Sequence, residues 1–367
     1  MNKILNVLLY LLKVFPIDEQ KILFIEGRNN FFTGNCRSIF ENLKNRSDLK
    51  FILISDKEVN KNYLNIKIIK YKSLEMLYHL STSKYCFFTS TIGDRLYKRE
   101  KQIYVNLWHA AGAFKKFAYD AELKNLKGKK VNNSIDLVTV SSASVQNIYS
   151  NALNVEKNKV KNLGIPRADI FFKEEEKEKI KKNFYKNYPK LENKKIILYT
   201  PTYRDSEKNK FNLKLDINLM KKELENKGYI LLLKLHPAIK GKDIQVDNKF
   251  SYNFSDYSNT ADLLIISDIL ISDYSSIIFE FSIMKKPILF YAYDVEEYIR
   301  DRGFYYNYYD FIPNKISYTT EEIIKAIINQ EWDLERIEKF AKYFFNPFDG
   351  NSTERILKEV GLWEGNK

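Results

Sequence analysis

The sequence predicts two doubly wound α/β domains facing each other across a cleft, and three features carry that expectation. Short β-branched and aromatic runs alternate with amphipathic stretches, the pattern of parallel sheets covered by helices. The pattern occurs twice, on either side of a Lys/Glu stretch at 173–182 whose only apolar residue is Ile180. At 367 residues the chain also exceeds the size at which one hydrophobic core keeps growing.

In the first half, residues 21–26, 51–55, 85–89, 103–108 and 137–141 read as buried strands, and 37–45, 74–81 and 144–151 have helical spacing. In the second half, strands are expected at 196–200, 230–235, 269–272 and 287–291. Helices are expected there at 219–227, 277–284, 321–329 and 333–344. The expected domains are residues 1–172 and 173–345, with a C-terminal helix within 346–367 that can pack back on the first domain. Segment 173–182 reads as a linker or as the first exposed helix of the second domain. Ligands of such sheets sit beyond the carboxyl ends of the strands, so residues at strand ends carry most weight.

Hydrophobic residues make up 44% of the chain and charged residues 29%, the balance of a folded protein rather than a disordered one. Cys36 and Cys86 are too few for a disulfide framework and lack metal-ligand spacing, which fits a reducing compartment. The net charge of +13 points to an anionic partner: nucleic acid, an anionic membrane face or a phosphorylated substrate. Nucleic acid is the weakest of the three, because the chain has no zinc-ligand cluster, RNP-like signature or compact arginine-rich arm. There is no P-loop, dinucleotide glycine fingerprint, Ser-His-Asp arrangement or metal motif, so neither cofactor nor metal is expected.

The stretch from Ile4 to Phe15 is apolar except for Asn6 and Lys13. It is shorter than the about 20 residues that span a bilayer, and no small-residue cleavage site follows before Pro16-Ile17-Asp18-Glu19. Two readings stay open for this amphipathic helix. It lies in a membrane interface with Lys3 and Lys13 near the headgroups, or it packs on the first domain. Nothing later resembles a transmembrane segment, so at most a peripheral protein is expected.

Of the three histidines, His79 falls inside a helical stretch and reads as structural. His109 closes the run Val105-Asn106-Leu107-Trp108-His109 and precedes Ala110-Ala111-Gly112-Ala113-Phe114-Lys115-Lys116. A strand running into a small, Gly-containing loop lets backbone N–H groups approach an anion, and an imidazole there can take a proton from an attacking hydroxyl. A histidine that merely closes the strand is the alternative. His236 follows Leu231-Leu232-Leu233-Lys234-Leu235 and precedes Pro237. Alternation puts Lys234 and His236 on one face, a pairing suited to a pyrophosphate or to a solvated edge.

In Ser272-Asp273-Tyr274-Ser275-Ser276, a strand leads into two serines and the helix that carries Glu280. The helix start offers unpaired N–H groups and the serines add hydroxyl donors, although ordinary capping needs only one of them. Asp273 would repel a phosphate unless it binds a sugar hydroxyl or orients a neighbour. Arg204, in Thr200-Pro201-Thr202-Tyr203-Arg204-Asp205, follows another strand and has the fork geometry for phosphate. Lys194-Lys195 and Lys285-Lys286 read as solvated ends.

Taken in order, these segments resemble the CDP-glycerol glycerophosphotransferase family of teichoic-acid and capsule synthesis. The matching residues begin with Trp108-His109 and Phe114-Lys115-Lys116, then Gly164-Ile165-Pro166-Arg167-Ala168-Asp169 and Pro201-Thr202-Tyr203-Arg204-Asp205. Lys234-Leu235-His236-Pro237, Ser272-Asp273-Tyr274-Ser275-Ser276 with Glu280, and Lys286-Pro287 follow. Tyr291-Ala292-Tyr293-Asp294, Arg302-Gly303 and Phe348-Asp349-Gly350 with Arg355 complete the series.

The resemblance implies a GT-B fold with the acceptor on the first domain and the CDP-linked donor on the second. It implies His109 as catalytic base and His236 as a donor-phosphate contact or acid. Arg204, Lys234, Asp273, Ser275, Ser276 and Glu280 would line the donor site, with Asp273 supporting its turn. Gly112, Lys115 and Lys116 would serve the acceptor. The implied reaction moves glycerol phosphate or ribitol phosphate from a CDP-polyol to a polyprenyl-diphosphate-linked saccharide or polyol-phosphate acceptor, and CMP leaves. Peripheral association with the anionic cytoplasmic face of the cell membrane would suit that acceptor. Many members follow Trp-His with Gly-Thr-Pro-Leu, whereas Ala110-Ala111-Gly112-Ala113 stands here, a departure that bears on acceptor or polyol preference. The chain lacks the long N-terminal extension of some members, so a transferase core alone is expected. Two other classes compete: a nucleotide-sugar glycosyltransferase with the same layout, and a non-catalytic basic protein binding anionic polymers at a membrane. The second would leave two strand-end histidines without a role.

Overall fold

The computed structural model describes residues 2–26, 32–56, 65–90, 97–121, 134–204, 212–236, 244 and 246–365. Asp205 and Pro237 lie outside the described residues. The chain divides into two compact units. The first comprises Met1–Ala113, Phe117–Asp169 and Phe344–Lys367, and the second Phe114–Lys116 and Ile170–Tyr343. Phe114–Lys116 therefore depart from the expectation that residues 1–172 form one domain.

In the first unit, α1 (Asn2–Leu11) is followed by β1 (Asp18–Ile25), α2 (Asn35–Leu43), β2 (Lys50–Ile54) and β3 (Ile66–Ile69). Next come α3 (Leu74–Thr82), β4 (Ser83–Phe88), β5 (Ile103–Asn106), β6 (Leu137–Thr139), α4 (Gln146–Leu153) and β7 (Val160–Lys161). All seven strands are parallel, in the order β3-β2-β1-β4-β5-β6-β7. Covered on both faces, the central β1 buries Ile22, Leu23, Phe24 and Ile25 completely, which is why it reads as a continuous apolar run. Each such side chain is worth about 1.5–3 kcal/mol of burial.

The second unit runs α5 (Glu174–Asn187), β8 (Lys195–Thr200), α6 (Ile217–Leu224), β9 (Tyr229–Leu233), β10 (Ser251–Asn253), α7 (Thr260–Ile266) and β11 (Ile269–Ser272). It continues with α8 (Ile277–Ser282), β12 (Ile288–Tyr291), α9 (Val295–Arg302), α10 (Tyr308–Phe311), β13 (Ile316–Ser317), α11 (Thr320–Asn329) and α12 (Leu334–Phe344). Its six strands are parallel in the order β10-β9-β8-β11-β12-β13. Capping fixes several starts. Thr319 and Glu322 close a reciprocal capping box on α11, and Asp216 accepts from the Leu219 N–H at 2.9 Å on α6. The Lys/Glu segment is helix α5, its face laced by Glu174–Lys177, Glu176–Lys179 and Glu178–Lys181 pairs.

Three expected strands stop two residues early, one of them 137–141, which ends at Thr139. Residues 103–108 pair only to Asn106, because Trp108 takes φ +50 and leaves the extended region. Residues 230–235 pair only to Leu233. The last helix, α13 (Ser352–Glu359), belongs to the first unit, where Ile356 and Leu357 join a core with Phe40 and Cys36. Asp169 holds its start, accepting from the N–H groups of Ser352 at 2.9 Å and Thr353 at 2.8 Å. His79 is buried in α3, where burial holds it down to about 4, in keeping with a structural histidine.

Helix α1 packs on the first unit, one of the two readings given above. It lies against α3 with Leu9 buried, yet Val7, Tyr10 and Leu11 stay exposed, as do Val14, Phe15 and, at the start of α3, Leu74. Among the described residues no helix is long and apolar enough to cross a membrane.

Gly164 tests how tightly α13 is seated. Its φ is +93, and a Cβ there would stand 2.2 Å from the Ser352 hydroxyl oxygen and 2.6 Å from its Cβ. Gly164→Ala should therefore lower stability by about 1–3 kcal/mol, read from the urea midpoint. An unchanged midpoint would show that α13 yields freely at this contact.

Candidate active site

In both sheets the strand order reverses once, between β1 and β4 in the first unit and between β8 and β11 in the second. Such switch points open a crevice at the carboxyl ends of the strands. The predicted residues follow the carboxyl ends of strands: His109 and Gly112 after β5, Arg204 after β8, Lys234 and His236 after β9, and Asp273, Ser275 and Ser276 after β11.

In the first unit, His109 lies just past β5, its ring exposed and 4.4 Å between centroids from Trp108. The loop that carries it is closely held. Asn35 donates to the carbonyls of Leu107 (3.0 Å) and Trp108 (2.8 Å), and the Tyr149 hydroxyl to those of Ala110 (3.0 Å) and Gly112 (2.9 Å). Nδ1 of His109 faces the Thr89 carbonyl at 3.0 Å. A carbonyl can only accept, so this contact puts a proton on Nδ1, and in the neutral ring the lone pair is then on Nε2, as a general base needs. Gly112, expected at the acceptor in a loop whose N–H groups can approach an anion, donates its own N–H to the Ser141 hydroxyl at 2.9 Å. Its φ of +60 is the turn's requirement.

Glu26, at the end of β1, escaped the site prediction although the predicted strand ended on it. Its carboxyl is buried beside the N-terminus of α2, and Oε1 has no hydrogen-bond partner among the described residues. Burial pushes its pKa up to about 7, against the pull of Arg167, the Cys36 N–H and the Thr89 hydroxyl. Thr89 thus borders both Glu26 and His109.

In the second unit the organising residue is Arg204. Its Nε and Nη2 donate to the two carboxylate oxygens of Asp294, each at 2.9 Å. Nη1 reaches Asp273 at 2.6 Å and the Thr202 carbonyl. Asp273 also accepts from the N–H groups of Thr202 at 3.0 Å and Tyr274 at 2.6 Å, while the Tyr274 hydroxyl donates to Asp294 at 2.7 Å. Burial alone would weaken the Arg204 charge, but the two aspartates override it and hold the guanidinium ionised. For Asp294, burial raises the pKa and the Arg204 bonds more than offset that. The fork expected on a phosphate is thus engaged by carboxylates, and Asp273 serves its turn. Lys234, read as a phosphate contact, donates instead to the carbonyls of Ser255 (2.9 Å) and Tyr257 (2.6 Å). Lys286, read as solvated, likewise donates to Ile265 (3.0 Å) and Ser267 (2.6 Å).

Ser275 and Ser276 are half-buried at the start of α8. The Ser276 side chain makes no cap bond, and Ser275 Oγ accepts only a long contact of 3.4 Å from the Ile277 N–H. Glu280 is buried in α8. His236 stacks on Tyr203 with centroids 5.9 Å apart. Partial desolvation and the nearby Lys115 ammonium lower its pKa, an effect solvent moderates at the exposed ring edge. Beside Arg204 opens a cavity of about 590 Å³ lined by Tyr203, Lys214, Tyr293, Tyr298 and Arg302 among others. Of these, Tyr203, Tyr293 and Arg302 stood out only through the family motifs, and Lys214 and Tyr298 gave no signal.

Lys115 and Lys116, expected beside the acceptor, are counted with this unit. Lys115 forms an antiparallel bridge with Phe304, and the Lys116 N–H donates to the Gly303 carbonyl at 3.1 Å.

Removing Arg204 would strand two carboxylates, one of them buried. Arg204→Ala should destabilise the protein by about 3–5 kcal/mol, visible in denaturant melts. A variant with wild-type stability and only weaker ligand binding would show that the guanidinium serves ligand rather than fold.

Three comparisons with known proteins bear on this arrangement. The chain is 34% identical to a teichoic acid poly(ribitol-phosphate) polymerase of Bacillus spizizenii, over 95% of this chain and 57% of that one. It is 32% identical to a teichoic acid ribitol-phosphate primase of the same organism, over 94% of this chain and 91% of that one. It thus spans little more than half of the first relative and nearly all of the second. A structure of the wall teichoic acid polymerase TagF shares the fold, with a TM-score of 0.83 at 23% identity over 97% of this chain and 93% of that one. The model of the CDP-glycerol:poly(glycerophosphate) glycerophosphotransferase family matches residues 8–362, and the chain belongs to that family.

Proposed function

We propose that the chain transfers glycerol phosphate or ribitol phosphate from a CDP-linked donor to a hydroxyl of a lipid-linked teichoic-acid or capsule-type acceptor, releasing CMP. The observation that carries this reading is His109: an exposed imidazole just past the carboxyl end of β5, with Nδ1 against the Thr89 carbonyl, within a chain of this family. Nε2 takes the proton of the acceptor hydroxyl. The oxygen forms a bond to the phosphorus that bears the polyol, and the bond from that phosphorus to the CMP oxygen breaks. Charge then grows on the departing CMP phosphate. His236 and the hydroxyls of Ser275 and Ser276, which lie beyond the strand ends, would offset it.

The acceptor's lipid would hold the enzyme at the anionic face of a membrane. The exposed Val7, Tyr10, Leu11, Val14 and Phe15, with Lys13 among them, support this peripheral association.

Release of CMP from a panel of CDP-polyols, with a lipid-linked acceptor present, tests the reaction. His109→Ala should lose about 10²–10⁴ of the rate with one donor. Transfer from a UDP- or GDP-sugar, with no CDP-polyol used, would replace this reading with a glycosyltransferase. For the membrane, sedimentation with phosphatidylglycerol vesicles should fall when Leu11 and Val14 are both changed to Glu. Equal sedimentation of the variant and the wild type would count against docking through α1.

A further inference from the structure

We propose that Lys115 is a ligand of the donor pyrophosphate in the second unit, rather than a residue of the acceptor site. The inference rests on the CDP-linked donor of the reading above. It begins with the main chain. Phe114–Lys116 add an antiparallel rung to residues 303–305: the Tyr305 N–H donates to the Phe114 carbonyl at 3.0 Å and the Lys116 N–H to the Gly303 carbonyl at 3.1 Å. The Phe114 ring stacks on Phe311 at 4.5 Å and on Tyr308 at 5.7 Å. Tyr308 in turn donates its hydroxyl to the Asp273 carbonyl at 3.1 Å, two residues before Ser275. Lys115 is thereby fixed relative to the strand ends that carry the donor residues.

Its ammonium is differently placed from the other cations near these strand ends. Arg204 is engaged by Asp273 and Asp294, and Lys234 and Lys286 by backbone carbonyls. Lys115 is half-buried, yet its ammonium makes no hydrogen bond or ion pair among the described residues. A partly desolvated cation without a partner is costly unless an anion completes it. Asp273 faces it but is already taken up by Arg204 and two N–H groups. The other charged neighbours, Arg302 and Arg204, repel it, and His236 feels its charge in return. Burial first, and then these two arginines, bring its pKa down to about 8. A cationic group in that setting matches a diphosphate, and as CMP departs it would offset the charge left on the leaving phosphate.

The test measures CDP binding by calorimetry on the full chain, with acceptor KM measured alongside. Lys115→Met should raise the CDP Kd by about 10–100-fold, the range of one charge-assisted hydrogen bond, with acceptor KM unchanged. Lys115→Arg should restore most of the affinity. In the wild type, CDP binding should weaken as pH rises through about 8 and the ammonium loses its proton; in Lys115→Arg it should not. A folded Lys115→Met with unaltered CDP affinity and a raised acceptor KM would overturn the proposal. If that variant does not fold, wild-type CDP binding that is flat from about pH 7 to 9.5 would overturn it instead. Failure of the wild type to bind CDP at all would overturn the donor reading beneath it.

Discussion

The second unit depends on a single buried guanidinium. Three strand ends converge where β8, β11 and β12 stop, and each delivers polar groups that need a partner away from water. Arg204 reaches all three, through its own loop after β8, Asp273 after β11 and Asp294 after β12. The tyrosines around it, Tyr274, Tyr293 and Tyr298, lie 5.2–5.6 Å from the guanidinium carbon and reduce its access to solvent. A planar fork suits this geometry in a way that a lysine cannot. Asp273 becomes intelligible in the same terms. Next to a phosphate it would be repulsive, but with its charge balanced by Arg204 it orders the turn that presents Ser275 and Ser276.

In the first unit the comparable constraint is backbone strain. Trp108 occupies the left-handed region at φ +50, and Gly112 does so at +60. For a tryptophan this conformation costs about 1–3 kcal/mol, and strain of this kind concentrates at functional sites. Here it turns the chain sharply off β5, so that Trp108 is buried while His109, one residue on, is exposed. The two bonds from Asn35 and the two from Tyr149 hold that turn. The Thr89 carbonyl, 3.0 Å from Nδ1, then fixes the face that the His109 ring presents.

The short segment Phe114–Lys116 changes the meaning of a motif. Read along the chain, the paired lysines stand six and seven residues past His109 and look like one acceptor loop. In space they are claimed by the aromatic nest of Phe304, Tyr308 and Phe311. Burial of Phe114 decides this, since a large aromatic gains far more from such a nest than its polar neighbours gain from any single hydrogen bond.

Local chemistry in the sequence determined a good deal. The central strands were legible because parallel strands covered on both faces must be continuously apolar, as β1, β8 and β11 are. His109 and His236 were legible because each ends such a run. The four strands that escaped notice, β3, β7, β10 and β13, are the edges of the two sheets and are two to four residues long. Their runs are too short to show a period, and pairing with a neighbour is what makes them strands. The partners of charged side chains were not legible at all. Arg204 and Lys234, expected at the donor, and Lys115, expected at the acceptor, are simply cations past strand ends in sequence, yet the first meets carboxylates about 70 and 90 residues away in the chain and the second meets carbonyls about 20 away. The third remains without a partner among the described residues. Residue type and strand-end position are local properties, and the sequence alone determined them. The choice of partner is a long-range outcome of which strand ends the sheet brings together, and only the tertiary structure decided it.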